Sequence, residues 1–418
     1  MKALATHSTA ETSGWIPMEV VTSASRPQQI ISGLRKEFIE IRIRMTIARI
    51  ALRNYGPKIS LQILKSLDAL RRQFSGPHRI RKLAKIDGKF YYDLYTPGWP
   101  SPTFDAAISG EMNRLQPIKN GANRFTNIFL SITKKCPLQC EHCFEWKALN
   151  GHDTLNLSDL NQMVAKFQKM GTGQIQLTGG EPMLKVQEIS EILKGTNSKS
   201  DFWILTSGYN LTEENASMLK KAGLVGVIIS LDHFDEALHN RFRGNKNSYE
   251  WVCRAIENSK RAQLVTAVSL CATKEFISED NLMTYASLVR KMGVSFIQIL
   301  EPKAVGHYEG KDVLLKKEHE EMLDAYCMKM NYDPAFASYP IISYHGYYQR
   351  NAGCFAAGNR NLYVDTDGDI HACPFCHTKM GSVLDDSFED SIAGLRSVGC
   401  HSYKSFSNSA FNAKSCFS

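Results

Sequence analysis

Between residues 127 and 310, six short β-rich runs alternate with stretches of helix length, and this alternation limits the fold more than any other feature. The runs are 128–133, 174–178, 202–206, 225–231, 265–271 and 296–300. Stretches such as 157–170, 213–221 and 279–292 read as helices between them. Asp153 or Thr154 stands where the first of these helices begins, and Gly171 and Gly223 stand where helices stop. Alternation of this kind builds a parallel α/β sheet or barrel. In closed α/β barrels, ligands sit at the carboxyl ends of the strands, where the loops converge.

The loop after the first run carries unusual chemistry. Residues 131–146 read SITKKCPLQCEHCFEW, which spaces Cys136, Cys140 and Cys143 as C-x3-C-x2-C. Three thiolates on one tight loop can hold three corners of a cubane iron–sulfur cluster and leave its fourth iron open. The rival reading is a structural zinc loop with His142 as the fourth ligand. After the second run come Gly179, Gly180, Glu181 and Pro182. Paired glycines let the backbone approach a ligand, and the Glu181 carboxylate can accept from an ammonium group.

Together, the cysteine loop and the GGEP turn resemble the radical S-adenosylmethionine (radical SAM) family, with His142 at the aromatic position of its motif. The resemblance implies an α/β fold built on a partial (β/α)6 barrel. It implies a [4Fe–4S] cluster whose open iron is chelated by SAM, with the GGEP segment on the SAM amino group. One electron then cleaves SAM to a 5′-deoxyadenosyl radical that abstracts hydrogen from a substrate. Further matches fall at later strand ends. Ser207 departs from the family's Thr-Asn-Gly, and Ser230, Leu231 and Asp232 match an S-L-D element whose serine contacts SAM. Arg243 and Gly244 match the R-G that follows, with Arg243 expected on the SAM carboxylate. Ile297 opens a segment, 297–302, that resembles the one packing on the adenine. Each alone reads as a cap or turn, and their common order lifts them together. Asp232 and Glu301 are acidic groups expected at the barrel mouth, where a carboxylate moves a proton or simply orients a neighbour.

The tail has its own cysteines. Cys354, Gly368 and Cys373 fit the opening of the SPASM and twitch extensions of the family, and Cys373 pairs closely with Cys376. A full SPASM domain carries seven cysteines, whereas this tail has five. The resemblance therefore implies a shortened, twitch-like extension with one auxiliary iron–sulfur cluster on Cys354, Cys373, Cys376 and Cys400. A hairpin is expected around 366–368. Cys253, Cys271 and Cys327 read as buried structural thiols. The expected division is 1–126, a basic and mainly helical region with a hairpin at Asp87 and Gly88; 127–310, the barrel; and 311–418, the extension.

Residues 26–89 hold 16 Lys and Arg against 4 Asp and Glu, a balance of +12 in a chain of net charge +8. The basicity therefore belongs to the N-terminal region. Leu34, Phe38, Ile41, Met45, Ala48 and Leu52 follow helical steps, and Ile63, Leu67, Leu70 and Phe74 form a second stripe beyond Pro57. A basic amphipathic helix suits an anionic membrane surface, an acidic leader peptide or an ordinary solvated face. Leader recognition in related enzymes often uses a three-strand, three-helix module, and this region reads as having too little strand for it. No nucleic-acid motif accompanies the charge, so no nucleic-acid partner is expected.

No signal peptide or membrane-spanning run is legible, and 11 cysteines read as metal ligands of a reducing, cytoplasmic compartment. The expected function is hydrogen abstraction from a peptide or protein, with a reductant such as flavodoxin or ferredoxin. One alternative is a lipid or lipid-linked substrate, with peripheral contact at the inner face of the membrane through residues 30–90. Another, of a different class, is a non-catalytic metal-binding scaffold.

Overall fold

The computed structural model describes residues 28–76, 78–118, 125–196 and 199–398. The N-terminal region contains β1 (Gln29–Ser32), α1 (Gly33–Ser75), β2 (Lys82–Ile86), β3 (Lys89–Tyr91) and α2 (Pro102–Leu115). Next come β4 (Asn127–Ser131), α3 (Leu157–Lys169), β5 (Gln174–Thr178), α4 (Val186–Gly195), β6 (Asp201–Thr206) and α5 (Glu213–Ala222). The second half of the core holds β7 (Leu224–Ser230), α6 (Glu236–Arg243), α7 (Ser248–Arg261), β8 (Val265–Cys271), α8 (Glu279–Lys291) and β9 (Phe296–Leu300). Finally, α9 (Lys317–Tyr332), β10 (Ile341–Tyr344), α10 (His345–Ala352), β11 (Asn361–Val364), β12 (Ile370–His371) and α11 (Phe388–Val398) complete the described chain.

The six expected strands are β4 to β9, in place to within two residues and parallel in chain order. Three strands from beyond residue 310 lengthen the same sheet. Strand β10 adds parallel to β9, and β11 adds parallel to β4, with β12 as its antiparallel hairpin partner. Residue alternation splits the sheet into two faces. Ile128, Leu130, Ile175, Leu177, Val227, Ile229, Val268 and Leu270 pack outward against the helices. Trp203, Ile228, Val265, Ala267 and Phe296 face inward, where Ala84, Ile86, Tyr91 and Leu94 of the N-terminal region fill the floor. Burying one such large side chain contributes roughly 2–3 kcal/mol. The helix starts are local: Asn156, rather than Asp153 or Thr154, caps α3 with a reciprocal bond to Asp159, and Gly223 ends α5 in the left-handed region.

The N-terminal region differs from its expected form in two ways. It contains a three-stranded antiparallel sheet in the order β1-β2-β3, while α1 is broken at Gly56 (φ 70°) just before Pro57, where the sequence already divides the two stripes. Counted with α2, that makes three strands and three helical segments, more strand than the sequence showed, because β1 has no alternating pattern of its own. The second difference concerns the first half of α1, which has a second apolar side. Leu34, Phe38, Ile41, Met45 and Leu52 face solvent, while Ile39, Ile43 and Ile50 pack against Leu83, Trp99, Phe104 and Met112. This helix is apolar on two opposite sides, so periodicity alone could not choose which one the protein covers.

Lys82 anchors this region to the segment between α9 and β10. It is fully buried, and its ammonium donates to the carbonyl oxygens of Met330, Phe336, Tyr339 and Pro340 at 2.7–3.2 Å. Lys82→Met leaves these acceptors unpaired and should cost about 1–3 kcal/mol of stability. Burial also pushes the ammonium down to about 7, below the roughly 10.4 of an unfolded lysine. The unfolded chain then binds more protons between about pH 7 and 10, so stability rises with pH across that window. Thermal unfolding as a function of pH should show this rise in the native protein and lose it in Lys82→Met.

Candidate active site at the cysteine loop

The three cysteines sit on the loop after β4, at the carboxyl end of the sheet. Neighbouring elements clamp its backbone. Gly180 N–H donates to the Thr133 carbonyl (2.7 Å) and Glu181 N–H to that of Lys135 (2.8 Å). From the end of α6, Phe242 and Arg243 accept from the N–H groups of Glu141 (3.0 Å) and Gln139 (3.2 Å). After β9, His307 N–H donates to the Cys143 carbonyl, its ring meets the Cys140 carbonyl at 2.9 Å, and it stacks on Trp146 at 3.8 Å. Two glycines are needed for these approaches. A side chain at Gly180 would collide with the Lys135 carbonyl, and one at Gly306 (φ 61°) with that of Cys143. Gly179 and Gly180 thus press on the chain's own cysteine loop. The role of Gly306 and His307 was not legible, since nothing in their sequence marks them.

Glu181 is buried and its carboxylate is saturated. It accepts from Met183 N–H (3.0 Å), Thr206 Oγ1 (2.7 Å), Ser207 N–H (2.8 Å) and Ser207 Oγ (2.6 Å). Four donors fill the lone-pair positions of a carboxylate. Burial nevertheless pushes its carboxyl above the usual range, against the pull of Ser207. Thr206 and Ser207 therefore lock the ends of β5 and β6 together through Glu181.

Arg243 is committed in the same way. Its guanidinium grips the buried Asp232 with two nitrogens at 2.5 Å and lays a third 3.6 Å from Cys140 Sγ. The second Asp232 oxygen accepts from Cys271 N–H (2.9 Å). Burial raises the Asp232 carboxyl, but Arg243 outweighs it and the net shift is down. Burial also pushes the Cys136 and Cys143 thiols up to about 12, and holds His142 down at about 4. His142 is neutral and stacks on Phe242 at 4.9 Å. Glu301 likewise stays ionised: burial is outweighed by Lys303 (3.0 Å) and by Arg350 (2.6 Å). Both mouth carboxylates are thus clamped by cations, which suits orientation better than proton transfer.

Ser131, Thr178, Ser230 and Ser269 are inward-facing residues near the carboxyl ends of β4, β5, β7 and β8, and they give the interior a polar rim above an apolar floor. Ile297 is a correction. It is fully buried in the helix-side core, and strand alternation turns Phe296, Gln298 and Leu300 to the interior instead.

The C-terminal hairpin docks onto the cysteine loop. Asp367 pairs with Lys134 (2.6 Å) and accepts from Thr154 (2.6 Å), while Tyr363 bonds Ser131 (2.8 Å) and Glu145. Phe144 lies between Tyr363 (5.9 Å) and Phe375 (6.1 Å), so the first cysteine loop abuts the Cys373–Cys376 turn. Ala357 N–H donates to the Ala372 carbonyl (3.0 Å), which brings the segment after buried Cys354 beside that turn. Cys400 lies outside the described residues. Among the described residues no three His, Cys, Asp or Glu side chains converge as ligands of one ion. The donor set of three thiols on one clamped loop, with a guanidinium beside the middle one, fits a thiolate-held cluster.

An α/β half-barrel with a cysteine loop at its strand ends defines a cofactor-binding enzyme class. Residues 130–284 match the radical SAM superfamily model, so the chain carries a radical SAM domain. That family uses a [4Fe–4S] cluster and SAM. A similar protein is the AdoMet-dependent heme synthase of Oleidesulfovibrio alaskensis, 26% identical over 52% of this chain and 56% of the relative. The match to that relative thus spans little more than half its length. Mycofactocin maturase MftC of Mycolicibacterium smegmatis is 27% identical over 65% of this chain and 69% of its own. The crystal structure of Streptococcus suis SuiB bound to precursor peptide SuiA shares the fold, with a TM-score of 0.54 at 12% identity, covering 84% of this chain and 83% of that one.

Proposed function

We propose that this chain is a radical SAM enzyme that abstracts hydrogen from a peptide or protein, with residues 127–310 as its catalytic core. The observation that carries this reading is the clamping of the three-cysteine loop by the GGEP turn at the barrel mouth. Cys136, Cys140 and Cys143 would hold the cluster. Because Glu181 and Arg243 already have protein partners, they act by shaping the SAM pocket, and the backbone of Gly179 and Gly180 meets the amino group. Ser207 and Ser230 stand at the pocket's rim, with Asp232 fixing Arg243. The chemistry supplied when the cluster and SAM are bound is one-electron cleavage followed by hydrogen abstraction. Cys354, Cys373 and Cys376, with Cys400, would hold an auxiliary cluster in a twitch-like extension. A cytoplasmic flavodoxin or ferredoxin would supply the electron.

The peptide class is supported by the relatives' names, which include a maturase and a precursor-peptide complex, and by the three-strand, three-helix content of the N-terminal region. The lipid alternative draws on the solvent-facing apolar stripe of α1. The test is anaerobic: reduced, reconstituted protein with SAM should form 5′-deoxyadenosine, and a peptide encoded beside its gene should change in mass or stereochemistry. SAM cleavage with every such peptide unchanged would remove the peptide reading. An iron-free preparation that never forms 5′-deoxyadenosine would favour the scaffold.

A further inference from the structure

The first half of α1 presents a surface that the proposed chemistry does not use. Leu34, Phe38, Ile41, Met45 and Leu52 are 90%, 63%, 55%, 54% and 52% exposed. At about 100° per residue they fall within roughly 40° of one line along the helix. Residues 34–52 extend this line over roughly 28 Å at 1.5 Å per residue. The opposite side of the same helix is fixed to the body through Ile39, Ile43 and Ile50. The stripe is thus held outward by a rigid support.

One flank is cationic, while the other carries the exposed Glu37 beside Arg44. Arg35, Arg42, Arg49 and Arg53 lie roughly 60–100° to one side of the stripe and Arg44 about 80° to the other. All five are exposed. Glu40 is taken by Lys36, Arg44 and Arg79, and Arg42 lies over the Trp99 ring at 5.3 Å. Arg35, Arg49 and Arg53 enter no ion pair among the described residues. Five apolar side chains standing out from the helix, flanked on one side by three arginines that have no carboxylate partner among the described residues, match a surface with an apolar interior and an anionic skin.

We propose that residues 34–53 form an interfacial helix that seats this protein on an anionic lipid bilayer, with the stripe in the acyl boundary and the arginines at the phosphates. This holds for either substrate class and is independent of the radical chemistry. The helix lies in the interface plane: no described helix is long and apolar enough to cross a membrane.

The test is anaerobic flotation of the full chain with vesicles of phosphatidylcholine alone or with 30% phosphatidylglycerol (about that fraction suffices for an anionic surface). The first variant is Leu34→Ser/Phe38→Ser/Ile41→Ser/Met45→Ser, and the second is Arg35→Gln/Arg49→Gln/Arg53→Gln. Because these side chains are exposed, both variants should keep the native unfolding midpoint. The native chain is expected to float with the anionic vesicles only. The arginine variant should weaken binding on the order of a hundredfold, and the stripe variant should abolish it. Three outcomes overturn the proposal: a native chain that stays in solution, vesicle binding that survives the stripe variant, or a native dimer that the stripe variant dissociates. The last would assign the stripe to a second copy.

Discussion

Cys140→Ala, made in a Cys373→Ala/Cys376→Ala background, is expected to strip the remaining iron from the chain and end SAM cleavage. Cys140 is the most buried of the three loop thiols, and Arg243 is set beside it. Its loss leaves two thiols for a cluster that needs three from this loop. Formation of 5′-deoxyadenosine should fall on the order of a thousandfold, about 4 kcal/mol of barrier. Iron content and the low-temperature spin-resonance signal of the reduced protein check the same point without relying on activity. A variant that kept both its cluster signal and SAM cleavage would remove the assignment of this loop. His142→Phe restores the family's aromatic and should retain the cluster, since His142 is neutral and stacked on Phe242.

Arg243→Met should produce the largest change in stability. It strands the Asp232 carboxylate, which is 5% exposed, away from its counter-charge. Breaking one side of a buried pair costs about 3–5 kcal/mol. With roughly 2.1 cal/mol/K of unfolding entropy per residue, the midpoint should drop by about 3–6 °C. The sign of the pH dependence follows from the direction of the shift. Arg243 holds Asp232 below its unfolded value of about 3.9, so the pair's contribution is present above that pH and is lost as pH falls through the folded value. Native and variant proteins should therefore differ most at neutral pH and converge in acid. Asp232→Asn combined with Arg243→Met should recover part of the loss, because no buried charge remains. Equal midpoints for the native chain and Arg243→Met at pH 7 would contradict the two-nitrogen grip on Asp232.

Much of the site was legible because its determinants are local. The spacing of Cys136, Cys140 and Cys143 and the adjacency of Gly179 to Pro182 fix which groups share a loop, whatever the rest of the chain does. Other roles were hidden in contacts between distant residues. Arg243 reads as a free cation until Asp232, 11 residues away, is folded against it. Glu181 reads as an available acceptor until Thr206 and Ser207 arrive from the next strand. Trp146 and His307 are 161 positions apart in the numbering, and no pattern joins them before the stack forms.

The sequence by itself determined where β4 to β9 lie, that they run parallel between helices, and which loop carries the thiols. Apolar alternation and turn residues act over a few neighbours, so they survive in a bare string. Only the tertiary structure decided the faces and the partners. The resemblance placed Ile297 on the adenine-packing segment, but strand alternation and packing against the helices turn its side chain away from the interior. A helical period marked the stripe at Leu34 to Leu52, but β2 and α2 covered the opposite side of α1. Periodicity specifies an apolar line along an element. What comes to cover that line depends on chain segments far away in sequence.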